Sequence, residues 1–204
     1  MERNGPGLYV WFDTEFTSLD LEKAWLLQVA ALITDSGLKR VLPPEKDLSL
    51  NIRLAPGMEV SEWVEENLPD LLKKCRSPQA VEISEADRLL AAYVDEAAGP
   101  PAEAENSRPV LAGNSVHMDW MIARRYLPLF SGRLHYRHLD VTSFKLEWQR
   151  LHPGTDVEKG EKNFILRHFP GAVLPAEEAR HSAYFDIQAS IAELSFYRKN
   201  LLRK

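Results

Sequence analysis

Two carboxylates, Asp13 and Glu15, stand at the end of an apolar run in LYVWFDTEFTSLD (Leu8–Asp20). Side chains two apart on a strand point to the same face, so this pair can converge on one or two cations. An acid closing a buried strand is costly unless a cation or hydrogen bonds compensate it. Taken alone, Asp-x-Glu has two readings: metal-binding carboxylates, or a strand end emerging into water. Asp20 and Glu22 repeat the spacing in the polar turn LDLEK, where solvated charge suffices as an explanation.

Two further stretches supply acids. In GNSVHMDW, Asn114 or Ser115 is expected to cap a helix, which places Asp119 in its first turn. An acid there is equally explained by the helix dipole. In RHSAYFDIQASIAEL, His181 and Asp186 lie five residues apart, about 140° around a continuous helix. They can share one site only if His181 sits at or before the helix start, with Ser182 as its cap. Asp186 adjoins Ile187 on the apolar side of that helix, which a surface role explains poorly. His135 and Asp140 repeat the His-x4-Asp spacing, with Asp140 closing a strand as a supporting residue.

The elements that must position these groups can be read from periodicity. Leu8–Phe12 and Trp25–Asp35 are buried strands, and the alternation at Leu48, Leu50, Ile52 and Leu54 marks a half-buried one; the three suit an antiparallel meander. Trp63, Val64, Leu68, Leu71 and Leu72 recur at helical spacing after a Ser61 cap, and Ser84–Ala98 is a second helix capped by Ser84. Gly99–Pro109 is a surface loop. A short strand at Val110–Ser115 leads into a helix, and a strand at Tyr136–Val141 leads into another that Thr142 caps. His152–Lys162 is loop-like, and the last helix carries Ala183, Ile187, Ile191 and Leu194 on one stripe. Three strands, helices, strand, helix, strand, helices make an α/β fold with a mixed sheet.

A chain of 204 residues suits one domain across 1–204, with 1–7 as a loose N-terminal segment. No apolar run reaches the roughly 18 residues of a membrane span, and MERNGPG has no signal-peptide core. The single cysteine, Cys75, precludes an internal disulfide framework and suits a reducing compartment. That implies the cytoplasm, or an organelle matrix if a transit peptide is removed. A net charge of −5 argues against gripping long duplexes through many phosphates. Any nucleic acid substrate should be short, or held by metals and a few local cations.

The combination and order of these motifs resemble the DEDDh 3′→5′ exonucleases, and among them the oligoribonuclease family. DTEFTSLD is similar to the family's first motif, AGNSVHMD to its second, HYRHLDVTSFK to its middle segment and HSAYFDIQASIAEL to its last. The resemblance implies a ribonuclease H-like α/β core, a mixed five-stranded sheet flanked by helices, and a homodimer. It implies that Asp13, Glu15, Asp119 and Asp186 hold two Mg²⁺ or Mn²⁺ ions and that His181 is the general base. These assignments suit the chemistry. Carboxylate oxygens are hard ligands, paired cations stabilise both oxygens of an in-line displacement, and imidazole can take a proton near neutral pH.

The expected substrate is short single-stranded RNA, with DNA as an alternative. The resemblance makes Leu19 a wedge under the bases, Trp63 a base-packing aromatic, and Ser115, Arg137 and Thr142 a cap on the 5′ phosphate. It makes Tyr136 a tyrosine contributed across the dimer. Ordinary packing would equally account for Leu19 and Trp63, and a solvated charge for Arg137. Three departures stand out: Thr17-Ser18-Leu19 replaces Thr-Gly-Leu, Thr142 replaces a serine, and no histidine follows Trp63, where Asn67 and Leu68 stand. The last departure opens a second reading, an exonuclease trimming longer RNA or DNA. A catalytically dead binding scaffold is a third, disfavoured by the intact set of four acids and His181.

Overall fold

β-Branched, aromatic and leucine residues crowd Leu8–Phe12 and Leu26–Ile33, and the chain buries them as the two central strands of a sheet. The computed structural model describes residues 7–100, 107–155, 157, 159–174 and 182–201. His181 and the first six residues lie outside the described residues. β1 (Leu8–Phe16) pairs antiparallel with β2 (Leu26–Asp35), and β2 pairs antiparallel with β3 (Leu48–Asn51), the expected meander. β4 (Val110–Gly113) and β5 (His138–Asp140) continue on the other side in parallel, giving the order β3-β2-β1-β4-β5. Parallel strands need helical crossovers, and α3 (Ile83–Ala98), α4 (His117–Tyr126) and α5 (Pro128–Ser131) serve as such.

Strand alternation divides the core. Val10, Phe12, Val29, Ala31 and Leu111 face Leu90 and Val94 of α3, Ile122 of α4 and Phe130 of α5. Trp11, Ala30, Leu32 and Ala112 face the opposite layer, made by α6 (Val141–Leu151), α7 (Lys162–His168) and α8 (Ala183–Leu201). Each large apolar side chain so buried contributes roughly 1.5–3 kcal/mol. A third cluster joins Leu27 and Leu54 to α1 (Glu62–Asn67) and α2 (Pro69–Cys75).

Local chemistry differs from expectation at several places. The periodic run after Ser61 is two helices, because Pro69 lacks an N–H and starts a new one. Ser61 does cap the first, accepting from the Val64 N–H at 3.4 Å. Glu82, not Ser84, is the N-cap residue of α3, and Val116, not Asn114 or Ser115, that of α4. Asp140 caps α6 by accepting from the Thr142 N–H at 2.9 Å, so Thr142 lies inside the helix. The third strand ends at Asn51, with Ile52 making one isolated bridge to Val81. α8 is not amphipathic: Gln188, Ser190 and Glu193 are buried along with the expected apolar stripe.

Candidate active site

The carboxyl ends of the neighbouring strands β1 and β4 and the start of α8 meet at one end of the sheet. β1 runs on to Phe16, so Asp13 and Glu15 lie within the paired strand, opposite Ala30 and Gln28 of β2. Both project toward α8, where Asp186 lies in the first turn. Asp13, Glu15 and Asp186 bring carboxylate oxygens within 4.8 Å of one another, and no other set of acids, histidines or cysteine does so among the described residues. α8 is anchored there by Gln28, whose Oε1 accepts the Ala183 N–H at 3.1 Å and whose Nε2 donates to Asn51 Oδ1 at 2.9 Å. Gly113 lets β4 approach closely, since a Cβ there would lie 3.0 Å from the carbonyl oxygen of Phe12, the residue before Asp13.

Asp119 stands beside this group, outside the 4.8 Å set. Its Oδ1 accepts both from the Thr14 N–H at 2.9 Å and from the Thr14 hydroxyl at 2.7 Å, which holds it against β1. Thr14 belongs to the same DTE motif as the acids, yet its role was invisible from residue type. Thr14→Val retains the backbone donor and removes the hydroxyl. It is expected to weaken Mn²⁺ affinity by roughly 10–100-fold, the cost typical of losing a group that orients a ligand; calorimetric titration of Mn²⁺ into both proteins checks this.

Crowding of like charges shows in the protonation behaviour. Burial pushes Asp13 well above the usual carboxylate range, and the charges of Asp119, Asp186 and Glu15 push it further; Lys159, in the loop before α7, opposes them. Burial, then Asp186 and Asp119, raises Glu15 to about 7. Asp119 is raised by burial against the pull of its Thr14 hydrogen bonds. Acids held together this way favour a divalent cation in their midst. The donor atoms suit a hard one, being carboxylate oxygens alone.

Leu19 is 82% exposed, Trp63 53% and Tyr136 56%, which removes core packing as an explanation for the first two. Ser115 and Thr142 come together, their hydroxyl oxygens 3.3 Å apart. The Arg137 guanidinium lies 5.2 Å from the centre of the Tyr136 ring, which stacks on His135. Asn67 donates its amide to the Trp63 carbonyl oxygen at 2.8 Å and Leu68 is buried, so neither replaces the absent histidine. Asp140 accepts the N–H groups of Ser115 and Thr142, and buried His135 accepts the Arg137 N–H at 2.9 Å. That second His-x4-Asp is therefore scaffolding.

No family model matches the chain. Human mitochondrial oligoribonuclease is 33% identical over 196 residues, covering 96% of this chain and 73% of its own. The chain belongs to the oligoribonuclease family. The oligoribonuclease of Alkalilimnicola ehrlichii is 30% identical over 199 residues, 95% of this chain and 89% of its own. The fold is shared more widely. An exonuclease I from Methylocaldum szegediense superposes with a TM-score of 0.64 at 14% identity, over 96% of this chain and 41% of that one. Membership of the oligoribonuclease family makes the chain a 3′→5′ exoribonuclease using divalent metal, and the acidic cluster where β1 meets α8 suits that chemistry.

Proposed function

We propose that this chain clears very short RNA, removing 3′-terminal nucleotides as 5′-monophosphates. The observation that carries this is the convergence of Asp13, Glu15 and Asp186, with Asp119 beside them, in a chain of the oligoribonuclease family. Mg²⁺ or Mn²⁺, two per site and held by these four acids, would supply charge stabilisation for the attacking and leaving oxygens. His181 takes the proton of the attacking water as its oxygen bonds to phosphorus. The bond from phosphorus to the 3′ oxygen then breaks, and that oxygen stays with the shortened chain.

Leu19 and Trp63 flank the terminal bases, where stacking is worth roughly 1–3 kcal/mol per base. Ser115, Arg137 and Thr142 cap the 5′ phosphate, with Arg137 offering a bidentate fork. Tyr136 reaches the site of a second copy in a homodimer, a role its exposure permits. Among the described residues no helix is long and apolar enough to cross a membrane. The one cysteine, buried, suits a reducing compartment, the cytoplasm or an organelle matrix.

One observation favours a wider length range. After Trp63, where the family carries a phosphate-gripping histidine, this chain has Asn67, which donates back to its own helix, and Leu68, which is buried. The test is cleavage of RNA of about two, three, five and twenty nucleotides, with matching DNA, in Mn²⁺, in Mg²⁺ and in chelator. Fast metal-dependent loss of the shortest RNAs, absent in Asp186→Ala, is expected. Equal trimming of the longest would assign the chain to general 3′-end trimming, and no cleavage would leave a binding scaffold.

A further inference from the structure

α8 carries polar residues at helical spacing, Asp186, Ser190, Glu193 and Tyr197, and the last three point into the core. Glu193 and Tyr197 are fully buried. A buried acid is expensive unless its oxygens are satisfied, and replacing buried ionisable groups with apolar ones is often neutral or stabilising. Packing alone therefore explains Glu193 poorly. Both its oxygens are used: Oε1 accepts from the Tyr197 hydroxyl at 2.8 Å and Oε2 from Asn114 Nδ2 at 2.9 Å.

The direction of each hydrogen bond is fixed along this chain. Ser190 donates its proton to the Asp186 carbonyl oxygen at 2.9 Å, so toward Asn114 it can only accept, which it does at 2.8 Å. Both amide hydrogens of Asn114 are thus spent, and a flipped amide would set Oδ1 against the Glu193 carboxyl. Oδ1 must face the other way, where it accepts the Thr142 hydroxyl proton at 3.3 Å. With that proton committed, Thr142 Oγ1 is an acceptor toward Ser115, taking its N–H at 2.8 Å in a bond shared with Asp140 Oδ1 at 3.0 Å. Ser115 is held in the left-handed region at φ 50°, a conformation a non-glycine residue adopts only where its surroundings impose it. Its own hydroxyl, exposed, rests 3.3 Å from Thr142 Oγ1 as the donor of the pair and is the group that can turn toward a ligand.

We propose that Glu193, acting through Asn114, orients the Thr142–Ser115 hydroxyl pair so that Ser115 donates to the 5′-terminal phosphate of the substrate. Asn114 and Glu193 are positioning residues for terminal-phosphate recognition. This rests on the reading above that Ser115, Thr142 and Arg137 form the phosphate cap.

The experiment compares kcat/KM for a 5′-phosphorylated dinucleotide with that for its 5′-hydroxyl counterpart, in wild type, Ser115→Ala, Asn114→Ala, Glu193→Leu and Glu193→Gln. Loss of fold or of metal lowers both substrates together and leaves their ratio unchanged, so the ratio isolates the cap. Ser115→Ala, Asn114→Ala and Glu193→Leu are each expected to cut the preference for the phosphorylated substrate by roughly tenfold, mainly through its KM. Glu193→Gln can still accept from Asn114 while donating to Tyr197, and is expected to retain the preference. Asn114 is half-buried, so its variant carries the test if Glu193→Leu does not fold. An unchanged ratio in Asn114→Ala beside a collapsed one in Ser115→Ala overturns the positioning role and spares the cap. A wild type with no preference overturns the cap, and the positioning role with it.

Discussion

Asp13→Asn is expected to abolish RNA hydrolysis and, in the absence of metal, to make the protein more stable. The two effects have one origin. Asp13 is partly buried on β1 among acids, and its folded-state pKa lies well above the ordinary range because of burial and then its charged neighbours. In metal-free protein near neutral pH, folding must either hold this proton or tolerate an unpaired buried charge. The unfolded chain does neither, so the group opposes folding. An isosteric amide removes that penalty. With metal, the loss of one anionic ligand removes charge stabilisation worth about 4 kcal/mol, or roughly 10³-fold in rate. Thermal melts in chelator should show the variant higher than wild type by at least about 3 °C, and rates in Mn²⁺ should show it inactive. A variant that melts lower in chelator, or keeps a tenth of the activity, would contradict this account of the cluster.

The metal-free protein should also lose stability as pH rises from acid to neutral, opposite to the trend of acids whose folded pKa is depressed. Glu15 illustrates the sign. Its ordinary pKa of 4.5 rises to about 7 in the fold, so between these values the folded state binds the extra proton. Stability is therefore lost progressively over that window and is level above it. Between pH 5.5 and 8 the loss from Glu15 is about 2 kcal/mol. Burial lowers His138 and His168 from their usual range, and these groups act the other way as they charge at low pH. The clean readout is thus the difference between wild type and Glu15→Gln, measured as melting temperature in chelator at the two pH values. The wild type should fall by several degrees more than the variant. Saturating Mn²⁺ should abolish that difference, because a bound cation favours the ionised carboxylates.

Much of this molecule could be read from its residues, and the exceptions are of two kinds. The three-strand meander was legible because β1 and β2 are continuous apolar runs and β3 alternates. The acidic cluster was legible because the order of the four acids along the chain is distinctive; three of them converge within 4.8 Å among the described residues, and Thr14 holds the fourth against β1 through a bond between residues 105 positions apart. Gln28 escaped notice for the same reason, joining β2 to the start of α8 across 155 positions. So did the cluster in which Asp47 accepts from Arg40, Tyr93 and Tyr184. Such contacts have no local pattern. Others did have one. The break at Pro69 was announced by the proline itself, and the polar stripe of α8 by its spacing of three and four. Helix starts differed by a residue or two: Asp140 takes the Thr142 N–H ahead of any hydroxyl cap, while Glu82 and Val116 occupy their cap positions without a side-chain bond.

In the proposed mechanism Asp13, Glu15, Asp119 and Asp186 hold the divalent cations used to hydrolyse RNA. Its most direct test is calorimetric titration of Mn²⁺ into the protein with a 5′-mononucleotide product present. Saturation at about two ions per chain is expected, with loss of at least one in Asp186→Ala. Binding that Asp186→Ala leaves unchanged would contradict it.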